Sequence, residues 1–201
     1  MSPPVVIGGC ARSGTTLLLE LLAQIEGIYA FDNETHLLAA DEPEVDALVA
    51  QVPTGAKRWV EKTPRNVLYI EEILAAIPDA RIVIVVRDGR DVCTSLRVPG
   101  WYWVTPRRWV RDVKAGLEWE HHPQVLTVRY ERLVASTGSE LDRLEDFVST
   151  KIPRSISVHA NAVGRWKRDY GMHNEAVDAF YENSEALDLL GALGYEVEVS
   201  V

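Results

Sequence analysis

The sequence predicts an α/β domain built on a central, mainly parallel sheet with helices on its faces. Three observations carry this. Short apolar runs alternate with helix-period segments along the chain, the pattern of strands joined by crossover helices. Ile82-Val-Ile-Val-Val86, between Arg81 and Arg87, is an unbroken β-branched run, as expected of a strand covered on both faces. Glycines and polar residues cluster just after the apolar runs, at the carboxyl ends of the strands, where such sheets hold their ligands.

Taken in order, Pro4–Gly8 is a buried strand, because its apolar run ends in glycines. Gly14–Gln24 is a leucine-rich helix. Ile28–Phe31 is expected as a short strand, and Glu44–Gln51 as a helix with Pro43 in its first turn. Arg58–Glu61 is a short strand. Asn66–Ile77 is an amphipathic helix, with Asn66 as its cap and Pro78 just past its end. Arg81–Val86 is the clearest strand, followed by a helix over Gly89–Arg97. Val98–Val104 is a loop. Thr105 caps a helix that runs to about Glu120, with Pro106 at its first position. Val125–Val128 is a strand, and Tyr130–Val134 and Ser139–Val148 are helices, the second opening with Ser-x-x-Asp. Lys151–Val163 is irregular, and Asn174–Leu193 is mostly helical, ending at Gly194. With no repeat, linker or low-complexity stretch, residues 1–201 are expected to form a single domain.

Composition removes several function classes. The 201 residues are 47% hydrophobic, too apolar for a disordered chain. Two cysteines, Cys10 and Cys93, cannot make a disulfide framework and are expected as buried, reduced thiols. A net charge of -9 repels polyanions, so nucleic acid is not an expected partner. A local basic pocket for a small anion stays open. The N-terminus lacks a basic-then-apolar leader, and no apolar run nears the roughly 18 residues of a membrane span. A soluble, cytoplasmic protein without a membrane partner is expected.

Two segments carry chemistry. The first strand runs into Gly9-Cys-Ala-Arg-Ser-Gly-Thr-Thr16 and then directly into a helix. This is the spacing of a P-loop, in which backbone N–H groups wrap a phosphate at a helix N-terminus. The P-loop lysine is missing; Thr15 stands in its place and Arg12 is the nearest cation. The reading is therefore P-loop-like, suited to a donor with less charge at this end than ATP. The second segment is Arg87-Asp-Gly-Arg-Asp-Val-Cys-Thr-Ser95. If the helix continues, Arg87 and Ser95 lie a little over two turns apart and converge on one anion, the arginine through paired N–H donors.

These two segments together resemble the signature motifs of the sulfotransferases that use 3′-phosphoadenosine-5′-phosphosulfate (PAPS). The resemblance implies that Arg12, Ser13, Gly14, Thr15 and Thr16 bind the 5′-phosphosulfate and that Arg87 and Ser95 bind the 3′-phosphate. Shorter pieces follow in order. Glu61-Lys-Thr-Pro64 resembles the Lys-x-Pro segment of carbohydrate and tyrosylprotein sulfotransferases. Val128-Arg-Tyr130 resembles the strand whose tyrosine meets the nucleotide, and Gly164-Arg-Trp-Lys167 the late Gly-x-Trp-Lys element. Glu34-Thr35 resembles the tyrosylprotein branch's Glu-Thr, in which the glutamate is the base. The Arg-Lys-Gly that precedes the late element in cytosolic members is replaced by His159, Ala160 and Asn161, and Arg165 is the candidate substitute cation.

The resemblance implies sulfuryl transfer from PAPS to a hydroxyl or amine of a small-molecule acceptor. Glu34 would be the base with His36 as rival, and Lys62 a charge near the transferring group. No metal is required by this scheme. Trp101, Tyr102 and Trp103 form either a lid over the acceptor or ordinary edge packing. Two other classes stay open: a P-loop small-molecule kinase with Asp88 as its acid, using ATP and magnesium, and an inert nucleotide-binding scaffold.

Overall fold

The protein is described from a computed structural model, which covers residues 2–98, 101–102, 104–135, 137–153, 162–168 and 170–197. The strands are β1 (Val5–Gly9), β2 (Ile28–Ala30), β3 (Arg58–Lys62), β4 (Arg81–Val86), β5 (Leu96–Val98), β6 (Trp101–Tyr102) and β7 (Val125–Arg129). The helices are α1 (Thr15–Ala23), α2 (Val45–Val49), α3 (Ile70–Ala76), α4 (Gly89–Cys93), α5 (Pro106–Leu117), α6 (Tyr130–Ala135), α7 (Thr137–Val148), α8 (Arg165–Arg168), α9 (Tyr170–Tyr181) and α10 (Ser184–Ala192).

Five strands form one sheet in the order β2-β3-β1-β4-β7, and every pairing is parallel. β5 and β6 pair antiparallel as a separate ribbon. The predicted α/β architecture is thus what the chain adopts. Both faces of the sheet are covered. Val5 and Ile7 of β1 and Val83 and Val85 of β4 pack against Leu18, Leu21 and Leu22 of α1 and Leu141 and Leu144 of α7. Val6, Ile82, Ile84 and Val86 point the other way, into Ile73, Trp109, Val113 and Leu190. Period-2 alternation of side chains divides each strand between two apolar layers, which is why β1 and β4 read as continuous apolar runs.

β1 is central, with β3 on one side and β4 on the other, so the chain builds outward from β1 in both directions. That reversal is a topological switch point, and it opens a crevice beyond the carboxyl ends of the strands. Register places Ile7 beside Lys62 and Gly9 beside Val85. The segments after β1, β3 and β4 therefore emerge side by side.

Several local expectations change. The helix expected over 66–77 is a 3-10 turn, Pro64–Leu68, followed by the shorter α3. Asn66 is no cap: its side-chain amide donates to the Ile7 carbonyl and to Glu61. The helix after β4 stops at Cys93. Thr94 Oγ1 bonds back to the Arg90 carbonyl, and the chain then leaves for β5. Ser95 consequently lies past the helix rather than on it. Residues 96–98 and 101–102 form a ribbon where the end of that helix and the following loop were expected. The C-terminal helical stretch breaks at Asn183, whose side chain caps α10 through the Ala186 N–H at 2.9 Å. Pro43 precedes the α2 cap position, Glu44. Trp103, His159, Ala160 and Asn161 lie outside the described residues. Among the described residues no helix is long and apolar enough to cross a membrane.

Candidate active site

The turn after β1 is shaped by backbone that only certain residues tolerate. Gly9 (φ +139°) and Gly14 (φ +100°) lie in the left-handed region, as does Arg12 at φ +71°. A Cβ on Gly9 would stand 2.5 Å from the Val85 carbonyl, and one on Gly14 only 2.4 Å from the Tyr130 ring. Both contacts are closer than any side chain permits, so glycine lets the turn lie flat against β4 and Tyr130. α1 then begins with no side-chain cap and no acid in its first turn. Its orphan N–H groups are left for a ligand, and its dipole favours an anion. Ser13 is fully buried, and its hydroxyl has no partner among the described residues.

Arg87 leaves the end of β4 and is held on all sides. It donates to the carbonyls of Arg12 (3.2 Å) and Ala162 (2.5 Å), stands 3.5 Å from Asp91, and lies over the Tyr130 ring at 4.5 Å. Its own carbonyl accepts from the Trp109 indole at 3.1 Å. Its Nε is buried and has no partner among the described residues. The two predicted motifs meet directly, since Arg12 Nε donates to Ser95 Oγ at 2.9 Å. Asp91 also accepts from the Gly164 and Trp166 N–H groups at 2.8 and 3.0 Å, fastening the Gly-x-Trp-Lys element beneath Arg87. Burial pushes the Asp91 carboxyl up despite the opposing pull of Arg87.

On the β3 side, Lys62 Nζ donates to Glu34 Oε1 at 2.7 Å. The lysine is 9% exposed and the glutamate 39%. The other Glu34 oxygen stands 3.8 Å from His36 Nε2. So the sequence candidates Glu34, His36 and Lys62 form one cluster. Behind them Glu61, wholly buried, binds Thr35, Thr63 and Asn66.

These parts surround one cleft of about 680 Å³. Arg12, Gly14, Thr15, Thr16, Arg87, Ser95, Tyr130, Glu34 and His36 all line it, together with Arg65 and Arg108. Four guanidinium groups against one carboxylate make the cleft cationic in a chain of net charge -9. Ser13 sits beneath the loop, and Lys62 reaches the cleft through Glu34. Arg165, on the first residue of α8, is exposed and is not among the lining residues. Asp88, the acid of the kinase reading, is occupied by Arg90, with contacts at 2.8 to 3.0 Å. Sequence reasoning did not single out Glu61, Asp91 or Arg65. Asp91 falls inside a recognised motif, and Glu61 stands next to the recognised Lys62 in β3, whose sequence Arg-Trp-Val-Glu-Lys gives no sign of which charge is buried.

Comparison with known proteins agrees with this geometry. A family model described as "Sulfotransferase family" matches residues 33–154. A Caenorhabditis briggsae protein named as a protein-tyrosine sulfotransferase is 22% identical over 197 residues, covering 80% of this chain and 70% of its own. The sulfotransferase domain of the Synechococcus PCC 7002 olefin synthase superposes with a TM-score of 0.65 at 17% identity, over 98% of this chain and 97% of that one. Retinol dehydratase, solved with androsterone and the inactive cofactor PAP, superposes with a TM-score of 0.53 at 18% identity, over 90% and 81%. With the family model spanning most of the chain, and with the cleft formed where two signature segments meet, the protein belongs to the sulfotransferase family.

Proposed function

We propose that this chain transfers a sulfuryl group from PAPS to a hydroxyl or amine of a small-molecule acceptor. The observation that carries the reading is the Arg12–Ser95 contact, which joins the phosphosulfate turn to the segment after β4 on one cleft wall. The wall suits a bis-anionic nucleotide. It has an uncapped helix N-terminus, and a buried Ser13 hydroxyl and a buried Arg87 Nε that have no partner among the described residues. The retinol dehydratase structure, which holds androsterone together with PAP, supports a pairing of this nucleotide with a small-molecule ligand.

The donor supplies the sulfuryl group and leaves as adenosine 3′,5′-bisphosphate. Gly14, Thr15 and Thr16 would hold its 5′ end through backbone N–H and hydroxyl donors. Arg87 and Ser95 would hold the 3′-phosphate, and Tyr130, stacked under Arg87, would fix that guanidinium in place. Glu34 would take the acceptor's proton through the oxygen that Lys62 leaves free. Lys62 would place a positive charge where negative charge builds on the oxygens in transfer. Little covalent work remains for the protein, so positioning supplies most of the rate.

The test is turnover of PAPS over pools of phenols, alcohols and amines, read by mass for an added sulfonate. Product with PAPS, unaffected by magnesium chelation, is the expected result. A strict requirement for ATP and magnesium would replace the reading with a kinase.

A further inference from the structure

Glu61 is a charged side chain with no exposure at all, one residue before Lys62 at the end of β3. A buried carboxylate is costly unless several donors satisfy it. Here the donors are specific. Oε1 accepts from the Thr35 N–H (3.3 Å), the Thr35 hydroxyl (3.0 Å) and the Thr63 hydroxyl (2.6 Å). Oε2 accepts from the Asn66 amide at 2.7 Å. Thr63 Oγ1 in turn accepts from the His36 N–H at 3.3 Å. Both residues that follow Glu34 are thus tied to β3, and His36 is held at φ +59°, a left-handed conformation that a non-glycine residue adopts only under constraint.

Adjacent strand residues face opposite sides of the sheet. Glu61 therefore grips Thr35 from one side of β3 while Lys62 grips Glu34 from the other. The two contacts act as a clamp on the segment that carries the base. We propose that Glu61 is a positioning residue, whose carboxylate fixes the Glu34–Lys62 pair in the geometry the transfer needs. It touches neither donor nor acceptor. The proposal rests on Glu34 being the base, and its consequences are kinetic: removing the clamp should slow transfer without loosening the nucleotide, which is bound on the β1 and β4 side.

The substitution Glu61→Gln preserves shape. With its amide nitrogen at the Oε2 position it would meet the Asn66 amide donor, and a flip of Asn66 would give up the bond to the Ile7 carbonyl, so one contact of the clamp is lost either way. The experiment compares Glu61→Gln, Glu34→Gln and the double variant. It measures single-turnover transfer and the dissociation constant of adenosine 3′,5′-bisphosphate, with Tm as a control. Glu61→Gln should lose about tenfold or more in rate, leave nucleotide affinity within about twofold, and add less than about threefold in the Glu34→Gln background. Groups that act through one another are non-additive in this way. A loss by the same factor in both backgrounds, or nucleotide affinity falling in step with rate, would make Glu61 a structural brace and overturn the proposal. Glu34→Gln at full rate would instead overturn the base assignment beneath it. Should Glu61→Gln fail to fold, Thr35→Val removes one of the contacts, and Thr35→Ser, which keeps the hydroxyl, should recover most of the rate. If Thr35→Val transfers at full rate, the clamp does not matter.

Discussion

Two groups that line the cleft beside Lys62 can take a proton, Glu34 and His36, and their settings differ. Glu34 is anchored by Lys62 at 2.7 Å with one oxygen left over. His36 has a 63% exposed side chain that stands 3.8 Å from Glu34, beyond hydrogen-bond distance. An anchored carboxylate loses less freedom on meeting an acceptor. Glu34→Gln should therefore lower pre-steady-state transfer by about 10²–10⁴-fold, the usual worth of a general base, while His36→Gln stays within severalfold. The loss should shrink with acidic phenols, which release their proton readily. A dead His36→Gln variant beside an active Glu34→Gln variant would reverse the roles. Glu34 was legible because it stands in a short motif after a strand. Glu61 was not, because its role depends on the clamp between Thr35 and Thr63, and residues 35 and 61 meet only through the pairing of β2 with β3.

At the scale of elements, α4 is too short to hold itself by helix energetics alone, since an isolated helix of five residues is far below the length that is stable in water. Side chains hold it. The Asp88 side chain caps its first turn through the Arg90 N–H at 2.9 Å. Asp91 leaves it to bind Arg87 and the N–H groups that open α8. The sequence reading extended this helix to Arg97 because nothing between Gly89 and Arg97 is a strong breaker, and the stop arises from contacts distant in sequence, such as Arg12 on Ser95. For the same reason the late Gly-x-Trp-Lys element was recognised as a motif, while its attachment to Asp91 was not foreseeable. Replacing Asp91 with Asn keeps one acceptor oxygen but sets a donor against one of the two N–H groups, that of Gly164 or of Trp166. We expect a stability loss of about 1–3 kcal/mol, or several degrees in Tm, together with weaker discrimination of the 3′-phosphate as Arg87 loses its partner. Calorimetric melting and nucleotide titration check both. An unchanged Tm with unchanged discrimination would show that Arg87 is held by its carbonyl partners and by Tyr130 alone.

At the scale of the molecule, strand–helix alternation announced a mainly parallel sheet, and the glycine-rich turn announced where ligand sits. Strand order was not legible, because it is decided by which apolar faces pack together rather than by any local run. That order matters to the site: with β1 between β3 and β4, the ends of β1, β2, β3 and β4 bring the glycine-rich turn, Glu34, its partner Lys62 and Arg87 together around one cleft. A nucleotide bound there bridges segments after β1, β4 and β7, so binding should stabilise the whole fold. At a hundredfold excess over its dissociation constant, a ligand specific to the native state adds about 2.7 kcal/mol, which for a chain of this size raises Tm by roughly 5–10 °C. Adenosine 3′,5′-bisphosphate should produce that shift. The 5′-monophosphate lacks the group meant for Arg87 and Ser95, and each charge-assisted hydrogen bond contributes about 1.5–3 kcal/mol. At the same concentration it should therefore bind at least about tenfold more weakly and give at most about half the shift. Arg87→Ala should abolish the difference between the two nucleotides, while the 5′ end remains held by the turn before α1. Equal shifts in the unaltered protein would mean that the cleft does not read the 3′ position, and the donor assignment would fall with it.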